Sequence, residues 1–202
     1  FQLQIYGNLE LSSTVKYAIT TINFTGSSNA TYRTNGATRL GVGWYNNFIV
    51  NKAGGSVTLL DGLTVDLGTS NLVLTTGTLN LSGQAHEFGS LTAGGSTVRG
   101  LNVSNSTIKL IGTWDTRGTN LTFSAAGSTI TSDMFYSTGL TFAKVTAERN
   151  NPDMEINGNT FGELTLSSTA APIGTQRIGA NNTIGRLEFK GGGRIAGAGN
   201  VI

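Results

Sequence analysis

Acidic residues are the first side chains to consider for chemistry, because paired carboxylates can cleave glycosidic bonds and clustered ones can bind Ca²⁺. The chain has 11 Asp and Glu residues, most of them isolated in the sequence. Asp153 and Glu155 would share one face of an extended strand, whereas Asp61 and Asp66 would lie on opposite faces. Both pairs are more typical of a solvated outer face, so we predict no catalytic residue and no enzymatic activity.

Nucleophilic and metal-dependent chemistry have few candidate residues. The chain has no Cys and a single His, His86, which excludes thiolate catalysis, Cys-ligated zinc and any site that needs two His from one chain. No Gly-x-Ser-x-Gly motif surrounds any Ser. We therefore expect His86 to lie at the surface or at a corner, and we predict neither a metal site nor a cofactor.

Four aromatic residues are the candidates for a binding surface: Trp44, Tyr45, Trp114 and Tyr136. They stand near Gly, Asn or Asp rather than inside strand-like segments. Exposed Trp and Tyr side chains stack on sugars and anchor protein partners. The alternative is that they cover corners or pack between coils. Six phenylalanines are instead expected in the core, namely Phe24, Phe48, Phe88, Phe123, Phe142 and Phe189.

Composition indicates which elements would position these residues. The 202-residue chain has 29 Gly, only 2 Pro and 38% hydrophobic residues, and it is rich in Thr, Ser and Asn. Thr, Val, Ile and Phe favour strands, while Gly and Asn favour turns. Because the hydrophobic residues recur regularly and the net charge is small, the chain is not typical of disorder. We predict an all-β protein with no substantial helix.

A repeated strand-like triplet predicts how the strands are arranged. Apolar–polar–apolar triplets occur at residues 101–103, 121–123, 140–142, 164–166 and 187–189, and successive starts are 20, 19, 24 and 23 residues apart. A second set of short strands lies between them. This pattern predicts a parallel β-helix, or β-solenoid, with coils of about 20–24 residues. About ten coils would form a rod of roughly 45 Å.

A meander of hairpins is the alternative arrangement for short alternating strands. Asn35-Gly36 and Asp61-Gly62 are suitable for two-residue hairpin turns. Most other connections are mixtures of Ser, Thr and Gly with uneven lengths, which are typical of solenoid corners. The turn chemistry therefore favours the solenoid.

Regularity changes along the chain and indicates two parts. Residues 1–55 are less regular and are expected to form irregular first coils or a small N-terminal β subdomain, whereas residues 56–202 are expected to form the β-solenoid. Neither end carries a helix or a Pro-rich segment that would cap the open strand edges of a solenoid. We therefore expect the solenoid to continue beyond the given chain, or its ends to be covered by a partner.

Residues 46–59 and 159–166 resemble the repetitive parallel β-helix segments of tailed-phage fibre and virion surface proteins and of bacterial surface adhesins. Residues 76–83, 89–91 and 99–110 continue the likeness, which covers roughly residues 45–190. The resemblance implies a structural role at a virion surface or outside the cell. It also implies a homo-oligomer, with trimers common among such fibres.

These observations favour one function over two alternatives. We expect a non-enzymatic structural and adhesive β-solenoid segment of a virion or phage-tail surface protein, which acts as a rigid spacer and contacts a host-surface glycan or another virion protein. The alternatives are a bacterial secreted or cell-surface adhesin passenger, and a polysaccharide lyase or glycosidase that uses the region of Asp153 and Glu155.

Charge and hydropathy exclude two further classes of partner. The formal net charge is only +2 and is balanced in both halves of the chain, so nucleic acid is not an expected partner. No apolar run approaches the roughly 20 residues that span a bilayer, so membrane insertion is not expected.

Overall fold

The computed structural model describes residues 2–17, 21–39, 46–64, 70–81, 83–148, 156–167, 176–191 and 193–202. These residues form a parallel β-solenoid of about seven turns, with strands and turns but no helix. The predicted all-β, parallel β-helix fold is confirmed. The expected ten coils exceed these seven turns, whereas the predicted coil length of 20–24 residues is close to the spacing of paired residues, such as Thr21 with Asn47 and Asn46 with Ser70.

The coils are built from short strands joined by turns and bends. In chain order, the strands of the described residues are β1 (Gln2–Ile5), β2 (Leu9–Glu10), β3 (Lys16–Tyr17), β4 (Thr21–Thr25), β5 (Ala30–Arg33), β6 (Thr38–Arg39), β7 (Asn46–Leu59), β8 (Ser70–Asn80), β9 (Ala85–Phe88), β10 (Ser90–Thr92), β11 (Arg99–Asn102), β12 (Thr107–Leu110), β13 (Thr113–Asp115), β14 (Leu121–Ser124), β15 (Thr129–Ser132), β16 (Met134–Thr138), β17 (Thr141–Ala147), β18 (Ile156–Asn157), β19 (Thr160–Ser167), β20 (Gln176–Ile178), β21 (Thr183–Lys190) and β22 (Gly193–Ile195). No helix long and apolar enough to cross a membrane occurs in this part of the chain.

Three stacks of parallel strands run along the solenoid. The first sheet has the order β1-β4-β7-β8-β10-β13-β16-β18, the second β2-β5-β7-β8-β11-β14, and the third β9-β12-β15-β17-β19-β21. Strands β7 and β8 are long enough to turn a corner and to serve both the first and the second sheet. The first sheet is continuous from β4 through β7 to β8, and the division of the chain at residue 55/56 stays a prediction.

Alternation along the strands places one set of side chains in the interior. In the second sheet Val57 pairs with Leu79, Leu79 with Leu101, and Leu101 with Phe123, which gives an inward column of apolar side chains. Of the predicted core phenylalanines, Phe24, Phe48, Phe88 and Phe142 are buried and Phe123 is partly buried. Such columns fill the interior because residues on neighbouring rungs of a parallel sheet lie about 4.8 Å apart.

Phe189 is the exception among the predicted core phenylalanines, since it is exposed. It lies on β21, the last strand of the third sheet in the described residues, where it pairs with Leu166 of the preceding strand. Packing from one side only leaves part of its ring uncovered.

The pairing register corrects the predicted equivalence of the triplets. Leu101 pairs with Phe123 rather than with Leu121, and Leu164 pairs with Val145 rather than with Leu140. Any apolar–polar–apolar triplet fits a strand of period two equally well, so the sequence pattern locates strands without fixing which triplets stack.

A ladder of asparagine side chains joins the later coils at the corner that follows the first sheet. The Oδ1 atom of Asn159 accepts a hydrogen bond from the N–H of Leu140 at 2.9 Å. Asn182 accepts in the same way from the N–H of Asn159, and Asn200 accepts from the N–H of Asn182, both at 2.9 Å. Asn159 and Asn182 are buried. Each amide thus satisfies a backbone donor of the preceding coil that would otherwise be left unpaired.

The cross-section of the solenoid changes after β14. Thr107 pairs with Thr129 one coil later, but Thr129 pairs with Lys144, only 15 positions further on. In the shorter coil, β17 leads directly into the third sheet, and within the described residues β14 pairs only with β11. In the described residues the hydrogen-bonded second sheet therefore ends at β14.

Candidate functional site

A groove of about 590 Å³ lies on the outer face of the second sheet, and its concave shape makes it a candidate binding site. It runs across β7, β8, β11 and β14. Its position follows from the outward column of the second sheet, in which Ser56 pairs with Thr78, Thr78 with Gly100, and Gly100 with Thr122. Because Gly100 has no side chain, the Thr78 side chain packs over it, and a Cβ atom at position 100 would lie 2.7 Å from Thr78 Oγ1.

Close backbone packing shapes the floor of the groove at Gly77. This residue has φ of +83°, and a Cβ atom there would collide with the carbonyl oxygen of Lys52 and lie 2.7 Å from that of Gly55. Only glycine combines this backbone conformation with so close an approach between coils.

The walls of the groove are polar but uncharged. Thr78, Thr122 and Ser124 contribute hydroxyl groups, and Asn102 contributes an amide. Val98 stands at the groove with 75% of its surface exposed. No acidic side chain is among the described residues that line the groove. Such a lining offers a few hydrogen-bonding groups on a mostly apolar surface.

Arg99 borders the groove, but its side chain takes an inward position on β11 and the residue is only 2% exposed. Its guanidinium donates hydrogen bonds to the carbonyl oxygens of Gly94 at 2.7 Å, Gly95 at 2.9 Å and Thr119 at 2.8 Å. Its Nε atom is buried and has no hydrogen-bond partner. Burial lowers the pKa of Arg99 from its usual value, but a guanidinium stays charged in proteins.

A second buried cation, Lys52, lies in the strand segment that precedes the groove. Its Nζ atom donates to the carbonyl oxygens of Tyr6 at 2.7 Å and Thr25 at 2.9 Å. Burial lowers the pKa of Lys52. Among the described residues, carbonyl oxygens supply every hydrogen bond that Lys52 and Arg99 make, and neither forms an ion pair with a carboxylate. Backbone dipoles solvate both charges, but they do not neutralise them.

Trp114 does not lie at the surface, which corrects its prediction as an exposed aromatic residue. It is 0% exposed, stacks on Phe135 with ring centroids 5.9 Å apart, and donates from Nε1 to Thr116 at 3.0 Å. Trp114 sits on the inward side of β13 and pairs with Leu91 and Phe135 of neighbouring coils. For this residue the packing alternative is confirmed. Trp44 and Tyr45 lie outside the described residues.

Tyr136 is partly exposed on the outer face of the first sheet. The Arg117 guanidinium lies over its ring, 4.4 Å from the centroid. Asp115 binds the same guanidinium, with Oδ2 2.7 Å from Nη2. Burial acts to raise the pKa of Asp115, but its hydrogen bonds and charge pairing with Arg117 outweigh this and hold the pKa below the usual value. The Tyr136 ring face is therefore already covered by Arg117.

His86 is buried, which corrects the expectation of a surface or corner position. Its Nε2 atom lies 2.9 Å from the carbonyl oxygen of Leu81, and its Nδ1 accepts the N–H of Leu63 at 3.1 Å. This pair of contacts requires the neutral ring with the proton on Nε2. Burial lowers the pKa of His86, although the hydrogen bond to Leu81 and the charge of Asp61 raise it. His86 therefore bridges coils.

We expect the stability of the protein to fall as the pH drops through about 6.5, the unfolded pKa of histidine. Because burial lowers the pKa of His86 in the folded protein, the unfolded chain binds the proton first as the pH falls. The stabilisation from neutral His86 is therefore complete only above about pH 6.5. The midpoint of urea unfolding, measured from pH 8 to pH 5, should fall more for the wild type than for His86→Gln. Equal slopes in the two proteins would contradict the neutral bridge.

Asp61 has a structural role in the described residues. Its carboxylate accepts hydrogen bonds from the N–H of Thr34, the Thr34 hydroxyl and the N–H of Asn35, at 2.8 to 3.0 Å. A carboxylate held by three donors of a neighbouring coil secures a corner. Asp66, Asp153 and Glu155 lie outside the described residues, so the strand faces expected for the two pairs stay predictions. In the described part of the chain no three His, Cys, Asp or Glu residues form a group that could hold a metal ion.

Sequence reasoning missed Lys52 and Arg99, although a signal was present. Lys52 continues the alternation of Phe48 and Val50, and Arg99 that of Leu101, so both occupy inward positions of their strands. A cation at an inward position is the feature that would have identified them. Comparison of the chain with protein-family models, with curated proteins and with solved structures gave no match.

Proposed function

We propose that this protein is a non-enzymatic structural and adhesive β-solenoid segment of a virion or phage-tail surface protein. In this role it is a rigid spacer that also contacts a host-surface glycan or another virion protein. The observation that carries the proposal is the unbroken parallel ladder of the first sheet, from β1 to β18, over a shared apolar interior. The choice of a virion protein rests on the sequence resemblance to phage fibre and virion surface proteins, a resemblance that bacterial surface adhesins share.

Rigidity follows from how the coils are connected. Each coil is hydrogen-bonded along its length to the coils before and after it, and buried aromatic rings stack between coils, as Phe142 does on Phe161 with centroids 5.4 Å apart. Bending such a rod would break hydrogen bonds and open the packed interior at once. A spacer that must hold a contact surface away from its base benefits from this resistance.

The outer faces provide contact surfaces without a reactive group. Hydroxyl and amide side chains line the groove of the second sheet, and ion pairs such as Lys109–Glu87 at 2.9 Å and Arg186–Glu163 at 2.6 Å cross neighbouring rungs of the third sheet. These groups bind polar partners by complementarity. The first sheet adds the Arg117–Tyr136 pair, in which the Arg117 side chain is 42% exposed.

Antibodies raised against the purified chain test whether the protein belongs to a virion, as proposed. Applied to intact particles and cells of the source, they should decorate virion tails in electron micrographs, and sedimentation should give a homo-oligomer, with a trimer expected. Decoration of the cell surface alone would favour the bacterial adhesin, and a capped monomer would remove the assembly part of the proposal.

A polysaccharide panel tests the enzymatic alternative. We expect no release of reducing ends from any polymer after prolonged incubation. Release that disappears in Asp153→Asn or Glu155→Gln, and persists in the matched variant Glu148→Gln outside that pair, would overturn the non-enzymatic assignment and support a lyase or glycosidase.

A further inference from the structure

We infer that the free edge of β14 binds an extended segment of a partner protein, which adds a parallel strand to the second sheet and places an apolar side chain beside Phe123. The inference rests on the protein contact of the proposed function and deepens it by naming the kind of segment bound. Three features of this edge carry it: the direction of its backbone groups, a small pocket beside it, and the absence of charge on the strand.

The backbone groups on one edge of β14 point toward a position that no strand of the described residues occupies. Arg99, an inward residue of β11, donates its N–H to the carbonyl oxygen of Asn120 on the following coil at 3.0 Å. Leu121 is in register with Arg99, and Phe123 follows it at the strand period of two. The N–H and C=O groups of both therefore point in the same direction along the rod, where β14 has no partner strand in the described ranges. Such a row of donors and acceptors is matched by another extended backbone.

A pocket of about 290 Å³ lies beside this edge, between β14 and the first half of β17. These two segments are not paired with each other, because β17 pairs with β15 only from Lys144 onward, while Thr141 and Phe142 pair with β19. The lining residues are uncharged: Phe123, Ser124, Ala125, Ala126, Thr141, Phe142 and Ala143. Because small-molecule sites run from about 300 to 1,000 Å³, a pocket of this size suits one side chain of a bound peptide better than a whole ligand.

The columns of the second sheet indicate which residues the segment carries. Leu79 and Leu101 of the inward column are buried, whereas Phe123, the next member of the column, is partly exposed. An apolar residue opposite Phe123 would continue the column and cover its ring. The outward positions of these rungs hold Thr78, Gly100 and other small or polar residues. The expected segment therefore alternates apolar residues with small polar ones.

Charge is absent from β14, although charged residues and proline are the usual means of keeping a strand edge from pairing with other chains. Its four residues are Leu-Thr-Phe-Ser. By contrast β21, the last strand of the third sheet in the described residues, carries Arg186, Glu188 and Lys190. The edge of β14 thus lacks this protection and remains suitable for pairing.

Titration of the whole chain with a synthetic peptide tests the inference. The peptide has the sequence of residues 76–81 with blocked ends, so that its Leu79 lies opposite Phe123. At saturation it should slow the amide hydrogen exchange of Leu121 and Phe123 at least about tenfold. The N–H of Thr122 faces β11 and should be protected with and without peptide. No binding, or binding without the added protection, would overturn the inference and leave standing the virion assignment, which the antibodies test.

Methylation of single peptide nitrogens tests the pairing with a matched control. In a parallel strand aligned in this way, the N–H of Asn80 donates to the carbonyl oxygen of Phe123, whereas the N–H of Leu79 points away from β14. N-methylation at Asn80 should weaken binding about tenfold, and N-methylation at Leu79 should change it little. Equal losses from the two methyl groups would overturn the proposed strand addition.

A variant at the pocket locates the segment on the protein. Thr141→Lys places a charge at an exposed position that lines the pocket and should weaken peptide binding about tenfold. Thr183→Lys, at an exposed position of the same column two rungs away, is the matched control and should retain affinity. Unchanged affinity in Thr141→Lys, with folding verified by circular dichroism, would overturn the placement. Self-association of the wild type that Thr141→Lys abolishes would identify a second copy as the occupant and overturn the assignment to a partner protein.

Discussion

Replacing Asn182 by leucine should lower the free energy of unfolding by about 3 kcal/mol or more, because it removes a central amide of the asparagine ladder. The Asn182 side chain accepts the N–H of Asn159 at 2.9 Å and donates to the carbonyl oxygen of Ile156 at 2.9 Å and to Oδ1 of Asn200 at 3.0 Å. Leucine has a similar volume but satisfies none of these groups. Buried polar groups on the neighbouring coils would then be left without partners.

The measurement is urea unfolding followed by circular dichroism, with amide hydrogen exchange as a local readout. Exchange of the Asn159 N–H should accelerate in the variant more than that of the first coils, since each coil depends mainly on its neighbours. Asn51→Leu, at an exposed position of β7, is the matched control and should change stability by less than about 0.5 kcal/mol. If both leucine variants unfold at the wild-type midpoint, the ladder contributes no stability.

Replacing Trp114 by alanine should cost about 3–5 kcal/mol, the range for a large buried aromatic residue. Its indole is 0% exposed and stacks on Phe135, while Phe123 and Phe142 meet it edge-on with centroids 6.2 and 6.3 Å away. These rings come from three other strands, so the cavity would weaken four strands together. Thr116 would also lose the indole N–H that donates to its hydroxyl.

Thermal unfolding of Trp114→Ala and Trp114→Phe separates packing from the hydrogen bond. The phenylalanine variant keeps most of the ring contacts and should recover more than half of the loss. The control is Tyr136→Ala, which truncates a partly exposed aromatic side chain on β16, the strand that pairs with β13. It should lower the free energy of unfolding much less. A small effect of Trp114→Ala would mean that the neighbouring rings collapse into the cavity.

The sequence pattern predicted the fold well because a solenoid repeats one local rule. Period-two alternation and Gly- or Asn-rich corners locate each strand, and Ile108 pairs with Ile130 as expected of the second set of strands. Register was harder, because corner length decides which triplets stack. The short step from Thr129 to Lys144 replaces a full coil and has no local signal in the strand pattern.

The candidate groove was not predicted, since its features depend on what lies across the rungs. Gly100 is one glycine among many in the sequence, and its place in the groove follows only from its pairing with Thr78 and Thr122. Arg99 resembles a solvated cation until its inward position is known. The Asp115 and Gly112 that flank Trp114 favour a surface position, yet alternation along β13 turns its side chain inward.

Pulled along its axis, a stack of coils behaves unlike a globular domain. Ionic contacts such as Lys109–Glu87 join residues 22 positions apart on adjacent coils, so a coil that peels away releases about 22 residues, or about 75 Å of extended chain. The folded rod shortens by only about 4.8 Å when that coil is lost. Under tension the protein would therefore lengthen in a series of large steps, one coil at a time, and would dissipate mechanical work while the remaining coils stay folded.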